Sequence, residues 1–163
     1  AGVHGIAYTD EAAIRAEHAR FREISSSEAP FGVRNHYLRL RDETLRLQAR
    51  AGYAFDSSEY GLRNPYLVDQ MVEFPVCLMD AYLLSLGRND IEDVKRRTLA
   101  AFEQGRALGL SHFTVIFHDC YYSALFPDHQ AWYDWLVRHL SDNYDVTDFA
   151  SALGEIKAKH IRA

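Results

Sequence analysis

Side chains able to move protons or hold a metal close five separate β-like runs of this chain. They are His4, then Arg34 and His36, then the Asp56-Ser57-Ser58 string, then Asp80, then His118 and Asp119. Imidazole titrates near neutrality, which suits it to proton transfer and to metal ligation. A carboxylate beside an imidazole fixes its tautomer, and a guanidinium holds a carboxylate in a planar fork. In a barrel of alternating strands and helices the carboxyl ends of the strands share one rim, where such folds place their chemistry. Five segments bringing polar groups to one rim is the pattern of an enzyme.

The elements that must position these groups are readable from periodicity and caps. Thr9 or Asp10 caps a helix running to about Ile24, with Ile14, Phe21 and Ile24 as its apolar stripe. Ser25-Ser26-Ser27 reads as a loop. Asp42 caps a second helix with Leu45 and Ala49 inward and Gly52 at its end. Asp90 opens the longest helix, with Ile91, Val94, Ala101, Phe102 and Leu108 on one face and Gly109 after it. Asp128 begins a helix carrying Trp132, Trp135, Leu136 and Leu140, and Thr147 caps the last, with Phe149, Leu153 and Ile156. Strands are expected at Gly2–His4, Gly32–Tyr37, Tyr53–Asp56, Val72–Met79 and His112–His118, and residues 57–71 read as a long loop. Strands alternating with helices imply an α/β fold with a parallel sheet. An open doubly wound sheet is the competing architecture, but no Gly-rich phosphate loop supports it.

The chain has 163 residues, 48% apolar and 25% charged, which is one domain (residues 1–163) of ordinary globular composition. Its net charge of −5 and the shortness of its longest basic run, Lys95-Arg96-Arg97, argue against a nucleic-acid footprint. No stretch of apolar residues is long enough for a membrane span, and no signal peptide is visible. Two cysteines, Cys77 and Cys120, make no disulfide framework; Cys77 reads as a buried thiol. The ten Tyr and nine Phe fit a core and equally fit a sugar-lining surface. The opening Ala1-Gly2-Val3-His4-Gly5 lacks a Met and reads as the latter half of a strand, so we expect a longer protein whose preceding strand carries further site residues.

Several strings occur together in a telling order. Val3-His4-Gly5 comes first, then Gly32-Val33-Arg34-Asn35-His36-Tyr37-Leu38-Arg39, then Ala51-Gly52-Tyr53-Ala54-Phe55-Asp56-Ser57-Ser58. Glu73-Phe74-Pro75-Val76 and Phe117-His118-Asp119 follow. This order resembles the polysaccharide deacetylase superfamily, also known as the NodB homology or carbohydrate esterase family 4 group, over roughly Ala1 to Leu153. The resemblance implies a distorted, incomplete (β/α) barrel, of which this chain would be the C-terminal portion. It implies a hydrolase that removes N-acetyl or other acyl groups from a carbohydrate, with a divalent metal, zinc foremost. His4 matches the first His of the family's His-x3-His metal motif, but the second position is Tyr8, a poor zinc ligand beside imidazole. Arg34 matches the Arg that braces the catalytic base, with His36 where Pro is usual. His118 matches the late His that acts as general acid. The base itself would lie upstream of this chain.

Each of these residues also has a structural reading. His4 either binds metal or is a hydrogen-bonded histidine at a strand end. His36 replaces the lost metal ligand, contacts substrate, or is structural. Arg34 either braces a base or pairs with a barrel carboxylate. Asp56, Ser57 and Ser58 either line a sugar pocket or turn the chain. Asp80 either tunes a histidine or caps the next helix, and Asp119 reads first as a turn or cap. Tyr121, with Tyr122 and Trp132, either stacks on sugar or packs in the core.

Two other classes are open. One is a metal-free carbohydrate-binding descendant of such enzymes, with Tyr8 in its favour. The other is a different sugar-processing barrel such as a glycosidase, which needs two carboxylates about 5–9.5 Å apart; Glu73, Asp80, Asp56 and Asp119 are the available donors. The resemblance points to surface polysaccharide, or its lipid-linked precursor, as substrate, and the missing leader to a cytoplasmic location.

Overall fold

The computed structural model describes residues 2–26 and 28–161. Among them are seven strands and six α-helices, a mixed α/β structure rich in parallel pairing. Ser27 of the expected Ser25-Ser26-Ser27 loop lies outside the described residues. The chain divides into two compact units. The first takes Ala1–Tyr60, Asn64–Pro75 and Asp148–Ala163, and the second takes Gly61–Arg63 and Val76–Thr147.

The first unit holds β1 (Gly2–Gly5), α1 (Glu11–Ser25), β2 (Gly32–Asn35), α2 (Thr44–Ala51), β3 (Phe55–Asp56), β4 (Tyr66–Val68) and β5 (Met71–Glu73). Its strands form one sheet in the order β1-β2-β3-β5-β4. All neighbours are parallel except β4, which turns back antiparallel on β5. The first strand of that hairpin, β4, and its turn lie inside the segment 57–71 expected to be loop, while β5 starts at the end of that segment and runs into the expected strand. The chain reverses at Asp69, whose φ of 52° an Asp tolerates better than most residues. Successive strand residues face opposite ways, so the sheet feeds two cores. Phe31, Val33 and Met71 pack with Ile14 of α1 and Ala51 of α2. Phe55, Val72 and Phe74 pack with Ala152, Leu153 and Ile156, the inner face of a C-terminal helix.

Local signals explain the first unit's helices. The Asp10 carboxylate accepts the Ala12 and Ala13 N–H groups at 2.8 and 3.2 Å, starting α1 as a side-chain cap should. Gly52, at φ 102°, ends α2 in the left-handed region that glycine enters without strain. The expected Leu45 and Ala49 do pack, half-buried, against the core around Phe31, while the fully buried residues of α2 are Thr44, Gln48 and Ala51. The helix turns polar groups inward because each finds a partner there. Thr44 Oγ1 donates to the Tyr8 carbonyl at 2.7 Å, and Gln48 Nε2 donates to Asn35 Oδ1 at 2.9 Å.

The second unit holds β6 (Val76–Met79), α3 (Asp80–Leu83), α4 (Ile91–Ala107), β7 (Thr114–Ile116) and α5 (Pro127–Asn143); α6 (Phe149–Ile161) then returns to the first unit. β6 and β7 pair in parallel. The single strand expected over Val72–Met79 is therefore two strands in two sheets, broken at Phe74-Pro75. Pro75 has no N–H to continue a ladder, so the run cannot pair through it. The core of this unit gathers Leu78, Val94, Phe102, Trp132 and Leu136. Trp132 is fully buried, and its indole N–H donates to Thr98 Oγ1 at 3.0 Å, so no polar atom is stranded.

Gly32 sets how closely β2 can lie beside the Phe55 ring. A methyl group built on Gly32 would overlap that ring. Gly32→Ala is expected to destabilise the protein by about 1–3 kcal/mol, the usual cost of overpacking. Urea unfolding monitored by circular dichroism checks this, and an unchanged midpoint would show that the ring moves aside freely.

Candidate functional site

Parallel pairing places the polar ends of β1 and β2 side by side. The register sets His4 opposite Arg34, and His36 begins the short 3-10 turn that follows β2. His4 Nε2 lies 2.6 Å from His36 Nδ1, with ring centroids 4.9 Å apart. At that distance one ring donates its N–H to the lone pair of the other. Bound to one tetrahedral zinc at 2.0–2.1 Å, two nitrogens would stand about 3.3 Å apart, a small opening of the present gap. The pair therefore fits part of a donor set for the implied metal. Among the described residues no group of three His, Cys, Asp or Glu side chains is assembled to complete it. Tyr8 does not join: its contact is with Arg39, whose guanidinium carbon lies 5.9 Å from the Tyr8 ring centroid.

Arg34 is clamped. Its Nε donates to the Ser57 carbonyl and its Nη2 to Ser57 Oγ, both at 2.9 Å. Its guanidinium carbon also lies 5.8 Å from the Phe149 ring centroid. Burial pushes this guanidinium below its ordinary value, against the opposing pull of Asp56 and Glu73. Among the described residues Nη1 makes no hydrogen bond and is the group left to meet a carboxylate.

Asp56, Ser57 and Ser58, read from sequence as a sugar-pocket lining or a turn, are fully buried. Asp56 accepts the Ser58 N–H at 2.7 Å and the Ser58 hydroxyl at 2.8 Å. Ser58 Oγ in turn accepts the Asn35 N–H at 2.8 Å. Ser57 holds Arg34. In this structure both Asp56 and Ser57 act on β2, not on an open surface.

Sequence reading gave no structural role to the neighbour of Asp56. The β3–β5 register sets Glu73 opposite it, and both carboxyls are fully buried. Glu73 Oε1 accepts the Glu59 N–H at 2.9 Å, while Oε2 has no donor. A proton on Oε2, donated to Asp56, resolves that orphan. Burial raises Glu73 far above the usual carboxylate range, and the Asp56 charge beside it raises it further. Burial raises Asp56 as well, with its hydrogen bonds opposing. Two carboxyls in contact are too close to flank a glycosidic bond, which removes this pair from the glycosidase reading.

The polar end of β2 continues into a strained turn. Tyr37 has φ 57° and ψ 25°, and Leu38 has φ 53°. Two consecutive non-glycine residues in the left-handed region cost about 1–2 kcal/mol each. The expected strand Gly32–Tyr37 thus stops at Asn35. Asn35 spans the turn: its Nδ2 donates to the Arg39 carbonyl at 2.8 Å while Gln48 holds its Oδ1.

In the second unit, the ends of β6 and β7 bring Asp80 and His118 together. His118 Nδ1 is 2.6 Å from Asp80 Oδ1, and the His118 backbone N–H donates to Asp80 Oδ2 at 2.6 Å. Asp80 is wholly buried and the His118 side chain is 41% exposed. Asp80 also accepts the N–H of its neighbour Ala81 at 2.6 Å, but it is the first residue of α3 and not its cap, a position that falls to Met79. With Oδ1 accepting from the ring, Nδ1 is the nitrogen that carries the hydrogen toward Asp80, and Nε2 is the ring's other nitrogen. Tyr121 lies edge-on to His118, centroids 5.7 Å apart, and its other face packs on His129 and Phe126. Asp119 opens the 3-10 turn that carries Tyr121. Cys120 is exposed, and Cys77 is a buried thiol that burial raises above its ordinary value.

A scan against protein-family models, a search of curated proteins and a search of solved structures each gave no match to this chain.

The Glu73 proton gives a pH signature. With its folded value raised above the unfolded 4.5, the native state binds the extra proton, so this contribution is complete below about pH 4.5 and lost as pH rises. A proton held to pH 7 costs about 3 kcal/mol relative to the unfolded chain. Glu73→Gln keeps a donor toward Asp56 without that cost. We expect it to raise stability at pH 7 and to flatten the decline between pH 5 and pH 9. Urea midpoints across that range check this, and parallel curves for the two proteins would show that Glu73 is ionised.

Proposed function

We propose that this chain is part of a hydrolase that removes N-acetyl groups from a carbohydrate, with the distorted (β/α) barrel that its motif order implies. The observation that carries this reading is the Asp80–His118 pair. A buried carboxylate accepts both the ring N–H and the backbone N–H of one half-exposed histidine. That geometry leaves Nε2 to hold a proton for a leaving amine and lets Asp80 stabilise the imidazolium that donates it. Hydrolysis of an N-acetyl amide needs such a proton, because an amide nitrogen leaves poorly as an anion.

In this reading the first unit, taken by itself, offers His4 and His36 as donors to a divalent metal, zinc foremost, which would polarise an acyl carbonyl and lower the pKa of water. The remaining roles belong to the chain itself. Arg34, locked by Ser57, offers Nη1 to a carboxylate base and keeps it ionised and oriented. Tyr121 flanks the acid and presents a ring edge where a sugar would approach. Asp56 and Ser57 keep Arg34 and β2 in place. No helix among the described residues is long and apolar enough to cross a membrane, and the negative net charge of −5 disfavours a nucleic-acid partner.

A metal-free carbohydrate-binding reading is the second choice, favoured by Tyr8 at the second metal-motif position. The two part on turnover. With N-acetylated oligosaccharides and added zinc, His118→Ala is expected to lose about 10²–10⁴ in rate, the usual worth of a general acid. Asp80→Asn is expected to fall by a comparable factor because it presents the wrong hydrogen-bonding group to Nδ1. Acetate release by both folded variants at the wild-type rate would remove the deacetylase reading, and sugar binding without any acetate release would select the second.

A further inference from the structure

The strained turn after β2 presents an aromatic and cationic surface that no role above uses. Tyr37 is 76% exposed although its ring is large and apolar. Its ring centroid lies 4.0 Å from that of His36, one member of the histidine pair. The Arg39 guanidinium carbon lies 5.5 Å from the Tyr37 ring centroid and 5.9 Å from that of Tyr8. Among the described residues the guanidinium makes no hydrogen bond and no ion pair, unlike the paired arginines of α1 and α4. The row therefore reads Tyr8, Arg39, Tyr37, His36, His4.

The scaffold under this row is over-determined. Asn35 is 2% exposed, and its backbone and side chain are held by Ser58 and Gln48. Its free amide hydrogen grips the Arg39 carbonyl across the turn. Thr44 fixes the Tyr8 carbonyl from the other side. Backbone strain persists only where its surroundings enforce it, and it concentrates where a side chain must be presented. Here the enforced conformation turns a tyrosine ring outward beside an arginine whose planar fork has no internal anion.

We propose that Tyr8, Tyr37 and Arg39 form a binding shelf for an anionic sugar. The Tyr37 ring stacks on the apolar face of a pyranose. Arg39, oriented by the two tyrosine rings, takes a carboxylate or phosphate of that sugar in a two-point hydrogen bond. The proposal rests on the carbohydrate reading above for its ligand class and names the subsite that selects among carbohydrates.

Isothermal titration of the whole chain tests it with three probes. One is an oligosaccharide alternating N-acetylglucosamine with glucuronate, the second an N-acetylglucosamine oligomer of equal length, the third N-acetylglucosamine 1-phosphate. We expect at least one anionic probe to bind tenfold or more tightly than the neutral oligomer, and which one does so identifies the anion. Arg39→Gln should abolish that preference while leaving neutral binding unchanged, and Tyr37→Ala should weaken every sugar tenfold or more. Both side chains are exposed, so unchanged thermal melting certifies the variants. Equal binding of all probes, no binding of any, or a preference that survives Arg39→Gln overturns the shelf. Acetate release measured on the same samples separates this from the activity. Binding that depends on Tyr37 and Arg39 without acetate release sinks the deacetylase reading and keeps the shelf. Acetate release that depends on His118 but ignores both shelf variants does the reverse.

Discussion

The first unit is organised around a carboxylate that has no access to water. Asp56 lies fully buried at the end of a two-residue strand, and an ion so placed must be matched on every side or give up its charge. The structure does both. Ser58 donates to it twice, Arg34 is held nearby through Ser57, and Glu73 stands opposite with a carboxyl that favours the protonated form. From Ser58 the hydrogen bonds run to Asn35, from Asn35 to Gln48 and to the Arg39 carbonyl. One buried polar chain thus ties β3, β5, β2, α2 and the strained turn together. Half-satisfied, such a network is worse than an apolar core; fully satisfied, it specifies one arrangement.

That network explains why His4 and His36 meet at all. β1 is only four residues long, and His4 is exposed. Its position depends on β2, whose far end is fixed by Asn35. The second unit solves a similar problem with fewer parts. There a single carboxylate, Asp80, bonds the side chain and backbone of His118 and also starts a helix. Both arrangements spend buried polar groups on orienting an accessible imidazole.

Features set by nearby residues were legible in the sequence. Asp10 and Asp90 cap helices through their own side chains, and Gly52 ends α2 as glycine does after a helix. His118 and Asp80 were readable as strand-end residues, since an apolar run followed by a polar one marks a strand leaving the core. Partnerships across long separations were not. Nothing near Thr44 or Gln48 announces their burial, because their partners, the Tyr8 carbonyl and Asn35, are distant in sequence. Glu73 was legible as a candidate carboxylate, but only the register sets it against Asp56. The left-handed turn at Tyr37 and Leu38 carries no glycine to announce it, and the division of Val72–Met79 between two sheets rests on Pro75, which a purely apolar pattern overrides. The motif order that resembles deacetylases was visible, but the departures at Tyr8 and His36 acquire meaning only from where the side chains sit.

The covering of the first sheet has a consequence for how the protein is made. Phe55, Val72 and Phe74 are sealed by α6, with Phe149 stacked 4.8 Å from Phe55. Yet the segment Val76–Thr147, which builds the second unit, is translated between those strands and that helix. At roughly 5–20 residues per second the ribosome needs about 4–14 seconds to cross it. During that interval an apolar sheet face waits without its lid, open to chaperones and to the same face of neighbouring nascent chains.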